Sequence, residues 1–177
     1  MRISLVVCLA CLACLAAMPG AAQEYEPPAE AATPDRGTRL GLDGFGVRGG
    51  LDFTRHGRLA LGATLDLGQL VTSRVRLRAS AELSVFNGPN VYVGSLETFY
   101  YFTGPAEGTR PYAGLGLGLA GGTACSADPE CPDLWPNVVL GFELRFRPAF
   151  NWLVEYHGMD LLRENRIHVG LTTRAGG

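Results

Sequence analysis

Lysine is absent from this sequence of 177 residues; all 15 of its cationic side chains are arginine. The net charge is −2 and no basic run occurs, which excludes a nucleic-acid partner on electrostatic grounds. Helical periodicity is also missing, since no long stretch repeats its apolar residues at spacings of three and four, and this points to an all-β class. Long apolar runs are confined to the N-terminus. Ile3 to Ala17 form a run of about fifteen residues, short for a spanning helix. It follows Arg2 and is broken by Pro19 and Gly20, and Gly20-Ala21-Ala22 places small residues before Gln23. This layout predicts a signal peptide over residues 1–22, cleaved near Ala22. Cys8, Cys11 and Cys14 lie inside its apolar run and follow poor lipobox sequences, so lipidation is disfavoured. Cysteine is then scarce: only Cys125 and Cys131 remain. In an oxidising compartment so close a pair suits a disulfide, which the chain-entropy model values at roughly 2–2.5 kcal/mol. Their loop has no histidine, so no metal site is expected there.

Residues 23–37 are acidic, rich in proline and alanine, and without period, as in a flexible linker. The predicted domain, 38–175, is a series of eight alternating segments separated by turn residues. They cover about 39–54, 59–69, 74–85, 91–102, 111–121, 137–147, 151–159 and 165–174. The third, "RVRLRASAELSV", alternates without a fault: Arg74, Arg76, Arg78, Ser80, Glu82 and Ser84 against Val75, Leu77, Ala79, Ala81, Leu83 and Val85. In the first, Leu40 and Leu42 break the parity of Phe45, Val47, Leu51 and Phe53, which suggests a bulge near Asp43-Gly44.

The apolar face carries no charge in any segment. The other face carries Arg48, Arg74, Arg76, Arg78, Arg145, Arg147, Arg166 and Arg174 against Asp52, Asp66, Glu82, Glu97, Glu143 and Glu155. Such a near-balance suits an internal network of guanidinium–carboxylate pairs, joined by His157 and His168. A soluble barrel would turn this face to water. It would then also expose Gly114, Gly116 and Gly118, which weaken a strand and gain nothing there. Facing a narrow lumen, the same glycines make room for arginine side chains. Nine or ten residues tilted near 40° rise roughly 25 Å, the height of a lipid-facing band. Phe45, Phe53, Tyr92, Phe102 and Trp152 fall towards segment ends, as interface girdles do. Open sheet edges are not viable in lipid, so the strands must close. The expectation is an eight-stranded antiparallel up-and-down transmembrane β-barrel. With the N-terminus on the inner side, "RHGR", "NGPN", the cysteine loop and "DLLREN" face outwards, and "LVTS", "TGPAEGTR" and "RPAFN" face inwards.

"VVLGFELRFRPAFNWLVEYHGMD" followed by "RIHVGLTTR" resembles the closing half of small bacterial outer-membrane barrels of the OmpA/OmpX/OmpW type. The resemblance covers residues 38–174 loosely and 138–174 best. It implies an outer-membrane location, with envelope lipids and the barrel-insertion machinery as partners. Such chains usually end in an aromatic residue; this sequence ends in Thr172-Thr173-Arg174-Ala175-Gly176-Gly177.

Signs of chemistry are sparse. "GLGLAG", Gly116 to Gly121, matches a dinucleotide fingerprint, but no helix pattern follows it, so no cofactor is expected. His157 with Asp160 could form a base and its orienter, as in barrels that modify lipid A; no serine nucleophile is apparent beside them, and membership of the lumen network is preferred. His56 reads as a solvated turn residue. Glu143 and Glu155 lie among arginines, so ion pairing is favoured over acid/base work. No catalytic or metal site is assigned. Eight strands leave a lumen just wide enough for side chains, so a wide pore is disfavoured. The leading expectation is a structural or surface-interaction role, with the 121–136 loop meeting extracellular or envelope partners. A narrow channel or binding protein for small, apolar molecules is the alternative, and lipid modification a third.

Overall fold

The computed structural model describes residues 37–53, 57–86, 90–122 and 131–173. The expected signal peptide, nearly all of the linker, His56, Arg174 and Cys125 lie outside the described residues. The pairing of Cys125 with Cys131 therefore stays an expectation.

Eight strands follow one another: β1 (Arg39–Asp52), β2 (Arg58–Gln69), β3 (Val75–Val85), β4 (Val91–Tyr101), β5 (Thr109–Gly122), β6 (Asp133–Arg147), β7 (Phe150–Met159) and β8 (Glu164–Thr173). Each pairs antiparallel with the next, and β1 pairs with β8, which closes the barrel. Closure satisfies every strand edge, the condition that hydrocarbon imposes on a sheet.

Register follows the alternation. Arg48 pairs with Gly62 of β2 and Gly170 of β8, so the bulky side chain has glycine on both sides. A Cβ on Gly170 would lie 2.9 Å from that of Arg48, and one on Gly62 would lie 3.2 Å from its Nε. The irregularity in β1 falls between Leu40 and Gly44, at the bulge that the broken parity suggests. A second one, between Asp66 and Gln69 of β2, coincides with Gly68 at a φ of +96°, a conformation glycine adopts without strain.

Two strands are longer than the alternation indicates. β5 begins at Thr109, and β6 begins at Asp133. The extension of β6 continues the ladder with β5 from Asn137–Gly116 to Asp133–Ala120, through Pro136. Proline normally marks the end of a strand, which is why the sequence alone stops the segment short. Alternation nevertheless persists there: Leu134 is exposed on the wall, while Trp135 packs against the buried Val93, Ala120 and Met159.

The barrel is inverted relative to a water-soluble protein. Leu96, Leu115, Leu117, Leu140 and Val169 are at least half exposed on the outside. Arg48, Arg78, Glu82, Glu97, Glu155 and Arg166 are buried inside. Charged groups are almost never fully buried in water-soluble folds, and apolar patches on their surfaces stay small. A continuous apolar wall around a charged interior is the arrangement of a membrane-spanning barrel. The interior is not wholly polar. Phe99, Tyr101, Tyr112, Val139 and Leu153 form an apolar cluster on the β4–β7 side.

A buried ion-pair network as the candidate functional site

The lumen residues come from every strand because each strand turns alternate positions inwards. Most of the charged ones form one chain of alternating charge. Starting near the end opposite the β1 and β8 termini, Arg58 of β2 meets Glu164 of β8 at 3.1 Å and Asp52 of β1 at 2.8 Å. Arg166 of β8 bonds Asp52 at 3.4 Å and Glu82 of β3 at 2.7 Å. Arg48 then bridges the lumen. Its Nη2 donates to Glu82 Oε1 and its Nη1 to Glu155 Oε2 of β7, both at 2.5 Å. Arg78 of β3 donates to Glu155 Oε1 and lies 3.5 Å from Glu97 of β4. Its guanidinium also rests 3.9 Å over the Phe99 ring, a cation–π contact in a desolvated setting. The Tyr112 hydroxyl donates to Glu155 at 2.5 Å.

Two smaller clusters lie towards the opposite end. Glu143 of β6 accepts from Tyr101 at 2.9 Å, Asn151 at 3.2 Å and Arg110 at 3.4 Å. Arg76 pairs with Asp66 at 2.8 Å and Asp43 at 2.7 Å, nearer to solvent.

Of the residues that the alternation assigns to the network, Arg48, Asp52, Asp66, Arg76, Arg78, Glu82, Glu97, Glu143, Glu155, His157, Arg166 and His168 are at these positions. Three are not, and the expectation is corrected for them. Arg74 precedes β3 and is exposed in the turn, where its carbonyl accepts from the Tyr101 N–H. Arg145 and Arg147 have lumen parity but lie on the part of β6 that runs past the charged interior, and both are exposed. Arg145 donates to the Ala106 carbonyl at 2.7 Å instead. Parity specifies a face, and these three sit at the rim, where that face meets water.

Other members are not assigned to the network by the alternation, although Tyr112 lies on its inward face. Arg58, Arg110 and Glu164 fall in connections between segments, Asn151 is the first residue of the seventh segment, and Tyr101 and Tyr112 are phenols among charges. A usable signal existed: Arg58, Arg110 and Glu164 each precede by two a position already assigned inwards, so extending the alternation by one step recovers them.

His157 and Asp160 do not meet as a base and its orienter. His157 is buried in the lumen with Nε2 3.1 Å from Glu155, while Asp160 lies in the β7–β8 turn 3.6 Å from Arg163. "GLGLAG" lies wholly within β5, where its glycines alternate with outward leucines.

A closed antiparallel barrel of eight strands, apolar outside and filled with paired charges, defines the class of small outer-membrane-type β-barrels. Solved structures of that kind are similar to this chain. The N-terminal β-barrel domain of Pseudomonas aeruginosa OprF matches with a TM-score of 0.56 at 18% identity, covering 75% of this chain and 97% of that one. Neisserial surface protein A matches with a TM-score of 0.55 at 9% identity, covering 74% and 94%. The de novo designed transmembrane barrel TMB2.3 gives 0.51 at 15% identity, covering 76% and 95%. No protein-family model matches the chain, and no curated protein matches its sequence. At these identities the likeness is one of fold.

Proposed function

We propose that this chain is a structural and surface-interaction barrel of the outer membrane, with a lumen plugged by its own side chains. One observation carries this reading. Arg48 spans from β1 to Glu82 on β3 and Glu155 on β7, so a single guanidinium ties three walls together across the middle of the lumen. Packed charges of this kind rigidify the wall and leave a solute no straight path. The fold shared with the OprF and Neisserial barrels supports the outer-membrane location. The connections at the end opposite the β1 and β8 termini, above all the one between β5 and β6, are the segments offered to envelope or extracellular partners.

Conductance in planar bilayers tests the plug. The folded chain is expected to give no sustained ohmic step at moderate voltage. A steady small step that grows in an Arg48→Ala variant would instead favour a narrow channel.

A further inference from the structure

Two histidines on neighbouring strands meet inside the ion-pair network. His157 of β7 and His168 of β8 are fully buried, with ring centroids 5.0 Å apart and planes at 86°. Glu82 lies across from both. Its Oε1 is 3.3 Å from His157 Nδ1, and its Oε2 is 3.8 Å from His168 Nε2. One ligand atom from each of these three residues lies within 4.8 Å of the others.

Hydrogen bonding is incomplete at this point. His168 has no partner at either ring nitrogen, His157 has none at Nδ1, and neighbouring Glu97 has none at either oxygen. Buried polar atoms without partners call for an explanation, and a bound ion is one. Charge argues the same way. Glu82 and Glu97 lie 3.3 and 3.9 Å from His157 Nδ1, and Glu155 lies 3.1 Å from its Nε2, so three carboxylates crowd this imidazole.

We propose that Glu82, His157 and His168 bind one divalent transition-metal ion, of the zinc and cobalt class, inside the barrel. Two imidazoles and a carboxylate are borderline ligands that suit such ions and disfavour magnesium or calcium, which take oxygen-only shells. A tetrahedral ion with bonds of about 2.0–2.2 Å separates its ligand atoms by roughly 3.3–3.6 Å. The 3.3 and 3.8 Å spacings run to the two different oxygens of Glu82, and one atom from each residue lies within 4.8 Å of the others, so the three side chains must draw in around an ion to reach that shape. Glu97 Oε1, 3.9 Å from His157 Nδ1, is placed to supply a further ligand. Arg48 and Arg166 hold the Glu82 carboxylate at 2.5 and 2.7 Å and act as the supports that orient a metal ligand.

Cobalt(II) is the probe. The full chain, refolded in detergent with its cysteines alkylated, is dialysed against Co²⁺ and then against metal-free buffer. Folding is verified by the mobility of the unheated chain on a gel. Retention of about one cobalt per chain is expected, with visible d–d bands that Zn²⁺ displaces. The His168 ring makes no hydrogen bond, so His168→Gln should keep the folded mobility while cobalt affinity falls at least about tenfold. His56→Gln, at the chain's third histidine, should change nothing. Two results overturn the proposal: no retained cobalt in the folded wild-type chain, or equal retention in His168→Gln and wild type. The wild-type measurement decides even where the variant does not fold.

Discussion

Arg48 shows what one side chain contributes here. Its guanidinium bonds a carboxylate on each side of the lumen, so its removal takes one cation from each of two buried charges, leaving Glu82 with Arg166 and Glu155 with Arg78. Breaking a buried pair by deleting one partner costs about 3–5 kcal/mol, most of it from the charge left behind. Because each carboxylate keeps a second arginine, Arg48→Met should lower the unfolding free energy of the refolded barrel, obtained from urea titrations of its compact gel mobility, by about 3 kcal/mol, the lower end of that range. Arg145→Met removes an exposed cation whose contact is a loop carbonyl, and should fall within about 0.5 kcal/mol of wild type. The two arginines have the same inward parity in the sequence. Their difference is height along the barrel, which alternation does not encode.

At the level of the strand, the outward face is the stronger constraint. Leu96 lies midway along β4 and is half exposed to the lipid side, while Tyr92 lies near the strand's start. Arginine on the lipid face costs about 2–4 kcal/mol at the midplane and about 0–1 near the interfaces. Leu96→Arg should therefore reduce the yield of folded barrel in lipid vesicles sharply, and Tyr92→Arg only slightly. A reversed order would contradict the wall's depth assignment. Strand positions were largely legible in the sequence, since a period of two is local. The ends of β5 and β6 were not. Pro111 and Pro136 both sit within the ladder, because partner strands on either side hold the backbone extended where local preference would end it.

For the whole molecule, closure is the decisive feature, because β1 meets β8 only after the chain has gone full circle. A closed barrel should resist detergent, so the unheated chain is expected to migrate faster on a denaturing gel than the boiled one. Identical mobility would count against closure. The sequence by itself determined which face of each strand meets lipid, because that depends on side-chain chemistry alternating along a local segment. The partners inside were decided only by the tertiary structure. Arg48 and Glu155 are 107 residues apart, and His157 and His168 face each other only because β7 and β8 are neighbours. Pairing across the lumen depends on strand stagger, barrel width and depth. These belong to the closed sheet as a whole and to no single strand.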